Sequence, residues 1–170
     1  MSTTNDSTAV LEEPALAGKY MGFKLGDENY GIEILKVQEI IGLMEITGVP
    51  RTPDYLCGVI NLRGKVIPVV DLRLKFGMQA KEADDLTCIM VVQVTLNDTL
   101  VTMGVMVDQV SEVMDITAEN VEPTPNMGVT EANEFLLGVG KFQGHVVLLL
   151  AMDRILSDSD KTMIGAMGDE

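Results

Sequence analysis

The stretch GVINLRGKVIPVVDL, residues 58–72, consists of two apolar runs separated by a short polar turn. Asn61 and Gly64 occupy the first and fourth places of a four-residue turn, where type I turns favour asparagine and glycine. The pattern predicts a β-hairpin that holds Arg63 rigidly at its tip. A single arginine in a turn is ordinarily a solvated charge, because exposed ion pairs contribute little to stability. The significance of Arg63 therefore depends on the rest of the chain.

Short apolar segments bounded by turn residues continue in both directions along the chain. They predict further strands and hairpins over residues 20–32, 37–41, 45–49, 57–72, 87–107, 110–116 and 135–152. Single helical turns are predicted at 33–36, 73–76, 118–120 and after Asp153, which is expected to cap the last of them. About ten short strands without a long helix predict an all-β fold, with two small barrels rather than one wide barrel.

The two ends of the chain differ in composition from its middle. Residues 1–18 are rich in Ser, Thr and Asn and predict a disordered arm, residues 19–156 carry the apolar strands, and residues 157–170 form a polar tail. The first segment lacks the basic start and the apolar run of a secretory signal. The longest apolar run, Val146–Met152, is far too short to span a bilayer. These features predict a cytoplasmic protein with one ordered domain.

The charge of the chain is strongly acidic and unevenly distributed. The formal net charge is −14, and no Lys or Arg occurs between Glu82 and Gly140. This balance argues against non-specific binding to nucleic acid or to anionic membranes, which requires basic residues that neutralise phosphates. Aromatic residues make up only 4 % of the chain, so an oligonucleotide-binding barrel with a stacking platform is also disfavoured. The predicted mixed-charge half and acidic half suit oriented docking.

Residues that could carry catalysis or bind a metal are few. His145 is the single histidine, and neither a Cys–His motif nor a clear serine nucleophile accompanies it. Cys57 and Cys88 lack metal-ligand spacing and are expected to be buried thiols. The Gly138–Gly140 segment lacks the third glycine of a nucleotide-binding fingerprint. No catalytic residue, cofactor or metal site is predicted, and the open alternative is a small-ligand carrier or β-barrel enzyme that uses His145 and the Gly138–Gly140 turn.

Several segments of the chain together resemble one known family. Proteins of the CheW-like family, the adaptors of bacterial chemotaxis, contain segments similar to residues 26–40, 53–72, 104–110 and 137–140. The NLRG turn between a Gly-Val-Ile run and an Ile-Pro-Val-Val-Asp-Leu run is highly specific to that family. The resemblance covers about residues 19–156, which is almost all of the predicted ordered region.

The resemblance implies both a fold and a function. It implies two five-stranded, SH3-like β-barrels packed together, without catalytic activity and without a cofactor. Members of the family bridge the signalling tip of methyl-accepting chemoreceptors and the histidine kinase CheA. The resemblance therefore implies a scaffold that is a monomer in isolation and joins receptor arrays at the inner membrane, without inserting into it.

The resemblance also implies particular site residues. Arg63 would pair with a carboxylate near the tip of the receptor hairpin. The apolar receptor groove would comprise Val37, Ile40, Gly58, Ile60, Asn61 and Gly64, joined by Val107 and Val110 of the second barrel. Glu39 and Ile40 lie where either the kinase or the receptor could bind, and the loop Glu122–Met127 corresponds to a second kinase-facing surface. Some family members place a basic and an aromatic residue in that loop, whereas this chain has Glu122 and Met127.

Overall fold

The computed structural model describes residues 16–96, 98–123 and 135–155. Most of the predicted N-terminal arm, the site residue Met127 and the predicted polar tail lie outside the described residues. The strands are β1 Gly18–Leu25, β2 Glu28–Glu33, β3 Val37–Gly42, β4 Leu56–Leu62, β5 Lys65–Asp71, β6 Cys88–Leu96, β7 Thr99–Val107, β8 Gln109–Ile116, β9 Val121–Pro123, β10 Leu136–Phe142 and β11 His145–Leu150. Between them lie a short helix α1, Leu72–Lys75, and the 3-10 turns Ile34–Lys36 and Ala118–Asn120, and a third 3-10 turn, Met152–Arg154, follows β11. No helix in the described ranges is long and apolar enough to cross a membrane.

The strands form two hydrogen-bonded sheets. The first sheet has the order β8-β1-β2-β11-β10-β9, and the second has the order β3-β6-β7-β5-β4. Neighbouring strands are antiparallel except for two parallel pairs, β2 with β11 and β5 with β7. The predicted all-β class with two packed units is confirmed. The first sheet has six strands rather than five, because Glu122, expected in an irregular loop, lies in β9 and extends the sheet beyond β10.

The chain crosses twice between the two sheets. β2 belongs to the first sheet, but β3, which follows it, pairs with β6 of the second sheet. β7 belongs to the second sheet, but β8, which follows it, pairs with β1 of the first sheet. One core cluster therefore contains Phe23 and Ile32 from the first sheet together with Val92 and Val105 from the second. Smaller clusters lie within each sheet.

The hairpins β4–β5 and β10–β11 have the same construction. In each hairpin the pairing register shifts beside a glycine, Gly58 in β4 and Gly138 in β10. Each hairpin closes with a two-residue loop whose residues both have positive φ. Gln143 in the second loop therefore occupies the place that corresponds to Arg63 in the first.

The turn at the tip of the β4–β5 hairpin differs in type from the prediction. β4 continues to Leu62, which pairs directly with Lys65. Arg63 and Gly64 alone form the loop, with φ values of 54° and 88°. These values define a type I′ turn instead of the expected type I turn. Two-residue hairpin loops favour type I′, because its twist matches that of the flanking strands. The Asn61 side chain accepts a hydrogen bond from the Gly64 amide at 2.8 Å and stabilises the loop.

Residues 45–49 do not form the predicted strand. Thr47 alone pairs with Val59 on the outer edge of β4, through two backbone hydrogen bonds of 2.9 Å. Gly48 and Pro50 disfavour a longer ladder beyond it. This bridge uses both the N–H and the C=O of Val59. Pro68, which lies opposite Val59 on β5, has no N–H to donate, and its position leaves no acceptor on β4 unpaired.

Two acidic residues close to the helical turns have different roles. Asp71 caps α1 by accepting backbone hydrogen bonds from its first turn, so the helix begins one residue earlier than predicted. The predicted cap at Asp153 is wrong, because Asp153 lies inside the last 3-10 turn, whose cap position is Ala151. The Asp153 carboxylate instead accepts hydrogen bonds from Lys36 and from the backbone of Thr95.

Gly58 is expected to tolerate no side chain. Its φ is +144°, and a Cβ atom there would lie 2.1 Å from the carbonyl oxygen of Thr47. Because that oxygen belongs to the bridge between Thr47 and Val59, Gly58→Ala should lower the free energy of unfolding by about 2–4 kcal/mol. Urea unfolding followed by circular dichroism measures this change.

Gly42→Ala provides the matched control on β3. A Cβ atom at Gly42 would meet no atom within 4 Å, so we expect a change in stability of no more than about 0.5 kcal/mol. Equal stabilities for the two variants would contradict the steric role assigned to Gly58.

Candidate functional site

Arg63 projects from the β4–β5 hairpin and forms an ion pair within the chain. Its Nη1 donates a hydrogen bond to Oε1 of Glu39 at 3.3 Å, and its Nη2 donates to Oε2. The Arg63 side chain is 68 % exposed, and that of Glu39 is 31 % exposed. β3, which carries Glu39, and β4 are the two outer strands of the second sheet, so the ion pair joins its two edges. A receptor carboxylate that binds Arg63 would therefore have to replace Glu39.

The ion pair sets the charge state of Glu39. The hydrogen bond from Arg63 lowers the pKa of the Glu39 carboxyl, and the positive charge of the guanidinium acts in the same direction. The same hydrogen bond raises the pKa of Arg63. Because both side chains reach solvent, water and salt screen their attraction. The pair has a defined geometry, and because it is exposed, replacing one partner by another should cost little free energy.

Exposed apolar side chains lie on or just beyond the strands that carry the ion pair. They form what we call the apolar rim, which consists of Ile40, Leu43, Met44 and Val66. The family resemblance implied Ile40 as a site residue, but it did not include the other three. The sequence did contain a signal for Val66, because this residue lies at the start of β5, directly before the apolar run from Ile67. In the structure that run is buried and Val66 is exposed. No sequence signal distinguished Leu43 and Met44 from core residues.

The other apolar residues of this chain that were predicted to bind the receptor fall into two groups. Ile60 and Val107 are buried in the core, so their side chains offer no surface to a partner. Val37 and Val110 are half-buried at the starts of β3 and β8, where the chain crosses between the sheets. Both pack against the shared core cluster. Val37 and Val110 are therefore the apolar receptor candidates that border the surface at the junction of the sheets.

The residues predicted to bind the kinase lie on different sheets. Glu39 and Ile40 belong to β3 of the second sheet, whereas Glu122 belongs to β9 at the edge of the first sheet. Glu122 is exposed and lies opposite Val139 of β10. The structure therefore presents them as two separate surfaces rather than one.

His145 and the Gly138–Gly140 segment, the residues of the small-ligand hypothesis, both lie on the β10–β11 hairpin. His145 is exposed at the first position of β11. A Cβ atom at Gly140 would lie 3.0 Å from Cδ1 of Ile116, so this glycine permits close packing. A half-open cavity of about 440 Å³ is lined by Tyr30, Phe76 and Phe135, among other residues, but not by His145. In the described parts of the chain, no group of three His, Cys, Asp or Glu residues could hold a metal ion.

The fold and the hairpin together define the class of this protein. It is a double β-sheet domain that exchanges strands between its sheets and presents an arginine turn at its surface. The model of the CheW-like domain family matches residues 19–160. This chain therefore belongs to the CheW-like domain family.

Individual relatives are similar over most of their length. The chemotaxis protein CheW of Klebsiella aerogenes is 40 % identical over 154 residues, which cover 88 % of this chain and 90 % of the relative. The chemotaxis protein CheW of Helicobacter pylori is 37 % identical over 138 residues, which cover 81 % of each chain. The crystal structure of the scaffolding protein TtCheW from Thermoanaerobacter tengcongensis has a TM-score of 0.75 at 29 % identity, and the match covers 85 % of this chain and 97 % of that one.

We expect Glu39 to ionise at a lower pH in the wild type than in the variant Arg63→Gln. Because the pKa of Glu39 is lowered in the folded protein, the ion pair is fully formed above the ordinary glutamate pKa. It is lost as the pH falls through the lowered value. Arg63→Gln removes the hydrogen bond and should return the pKa towards its ordinary range. A ¹³C NMR titration of the Glu39 carboxyl measures the shift.

Lys65→Gln serves as the control, because it removes a positive charge next to the same turn without removing the hydrogen bond to Glu39. Its effect on the Glu39 titration should be much smaller. Equal shifts in the two variants would indicate a general field effect rather than the specific pair.

Proposed function

We propose that this chain is a non-enzymatic adaptor that couples membrane chemoreceptors to the histidine kinase CheA in bacterial chemotaxis. Membership of the CheW-like family supports the signalling role. The single observation that carries the proposal is the exposed ion pair between Arg63 and Glu39 on a rigid turn. The adaptor would require no catalytic residue, cofactor or metal. It would hold both partners at once on distinct faces, because one shared face would admit only one partner.

The proposed receptor face is centred on Arg63. A carboxylate near the tip of the receptor signalling hairpin would replace Glu39, and the exposure of the existing pair makes this exchange inexpensive. Val37 and Val110 would exclude water on the receptor side. A charge-assisted hydrogen bond gains strength when water is excluded from its surroundings. Affinity would therefore depend on the arginine and on the half-buried valines together.

The proposed kinase face consists of the apolar rim, and Glu39 lies at its border with the receptor face. An apolar centre with a charged border is typical of protein interfaces. If the receptor takes Arg63, Glu39 loses its partner and becomes available to the kinase, so the two binding events would be coupled through this one pair. The surface around Glu122 and the loop that leads to Met127 would supply a second kinase contact within arrays.

The proposed setting is the cytoplasmic side of receptor arrays at the inner membrane. In isolation, the chain would be a monomer. The net charge of −14 favours protein partners over nucleic acid or an anionic membrane surface. The signalling effect would arise because docking changes the balance between kinase conformations.

Binding to both partners provides the direct test. A receptor signalling fragment and CheA should each co-precipitate with the folded chain, and all three should form one complex. Reconstituted kinase activity should respond to the receptor only when this chain is present. A folded sample that binds neither partner would refute the proposal.

Arg63→Glu should weaken receptor binding by about tenfold or more, because it sets two acids against each other at the proposed contact. Isothermal titration with the receptor fragment measures the loss, and circular dichroism confirms that the β fold is retained. Gln143→Glu makes the same change of charge at the corresponding turn of the other hairpin and should leave this affinity unchanged.

A double variant separates recognition from structure. Arg63→Glu combined with Glu39→Arg can restore an internal pair of opposite sign, yet it still presents an acid at the tip. Receptor binding should stay weak. Recovery of wild-type affinity would mean that the pair acts through the fold and that Arg63 does not contact the receptor.

A further inference from the structure

Two ion pairs join the sheets at corresponding places with opposite polarity. We infer that these pairs, Arg73–Asp108 and Lys36–Asp153, act as clasps that fix the two crossings of the chain and thereby position Val37 and Val110 for receptor docking. The four charged residues would be positioning residues, since none of them belongs to the proposed contact surface. The inference rests on the proposed function for its binding consequence, whereas its structural consequence can be measured separately.

The first clasp lies where the chain crosses from β7 to β8. Nη1 of Arg73 donates to Oδ2 of Asp108 at 2.5 Å, and the backbone amide of Gly26 donates to the same oxygen at 2.7 Å. The Arg73 side chain is 16 % exposed and that of Asp108 is 13 % exposed. Arg73 belongs to the second sheet's helix α1, whereas Gly26 follows β1 of the first sheet. One carboxylate thus ties both sheets to the crossing segment.

The second clasp lies where the chain crosses from β2 to β3. Nζ of Lys36 donates to Oδ2 of Asp153 at 3.0 Å, and the backbone amide of Thr95 donates to Oδ1 at 3.0 Å. The Lys36 and Asp153 side chains are 29 % and 38 % exposed. Asp153 lies in the turn after β11 of the first sheet, and Thr95 lies in β6 of the second. This carboxylate again connects both sheets and a crossing segment.

The two clasps match in position but not in sign. In the first, the cation lies in the helix after a hairpin and the carboxylate lies at the crossing. In the second, the carboxylate lies in the turn after a hairpin and the cation lies at the crossing. In both, the carboxylate also accepts from a backbone amide near the end of the first strand of a hairpin. Both clasps therefore connect the two sheets to a crossing segment, although the cation and the carboxylate exchange places between them.

The clasps lie immediately before the half-buried valines. Lys36 directly precedes Val37, and Asp108 is two residues before Val110. Val37 pairs with Val92 of the second sheet, and Val110 pairs with Phe23 of the first. Each valine thus pairs in the ladder of only one sheet, so release of either clasp would leave their relative position less well defined. We therefore expect each clasp to affect receptor affinity without contact with the receptor.

The test uses the more exposed clasp, because its variants are less prone to unfold. Asp153→Asn should weaken binding of the receptor fragment by about 3- to 30-fold. It should also accelerate amide hydrogen exchange at Val37, whereas Thr95 can keep its hydrogen bond to the asparagine Oδ1. Asp115→Asn is the matched control, since it removes an equivalent acid from the exposed Lys19–Asp115 pair (3.2 Å) and should change neither readout.

A swap variant tests the independence from polarity. Lys36→Asp combined with Asp153→Lys should regain most of the lost receptor affinity, while exchange at Thr95 becomes fast because a lysine cannot accept its hydrogen bond. Wild-type receptor affinity in Asp153→Asn, with only the stability lowered, would overturn the inference. If the wild type itself binds no receptor fragment, the proposed function fails, and unchanged amide exchange at Val37 in Asp153→Asn would then separately overturn the clasp.

Discussion

The exchange of strands between the two sheets is the constraint on which the other features of this protein depend. A twisted sheet with one apolar face must be covered by another layer. Because β3 and β8 each pair within the sheet opposite to the hairpin they follow, both sheets bury their inner faces in one shared cluster. The few aromatic rings are concentrated in that region, where Phe23, Tyr30, Phe76 and Phe135 form a series with ring centroids 5.4–5.9 Å apart. The two sheets therefore share one core.

The same hairpin construction serves two places with different side chains. The register shift and the two-residue turn recur, so the backbone directs Arg63 and Gln143 outward in the same way. The helical turns that follow carry Arg73 in one unit and Asp153 in the other. Glycine and turn geometry fix the scaffold, whereas individual charged side chains distinguish one surface from the other. Functional differences between the units can therefore arise without a change of fold.

An exposed ion pair on a rigid turn suits reversible recognition. Because exposed ion pairs contribute little to stability, a partner could displace Glu39 without unfolding the hairpin. A buried pair would resist such exchange, because removal of one partner leaves a charge without compensation. The pair of Arg73 and Asp108 is more buried and connects the two sheets, whereas the pair of Arg63 and Glu39 lies at the surface.

The sequence by itself determined the all-β class, the hairpins and the position of Arg63 at a turn, because alternation of apolar residues and turn chemistry are local properties. Only the tertiary structure decided that Glu39 pairs with Arg63, that Ile60 and Val107 are buried, and that Asp153 connects two sheets instead of capping a helix. Each of these depends on contacts between segments far apart in the chain. Local patterns fix which residues can form a strand, but strand pairing across sheets fixes which side chains meet.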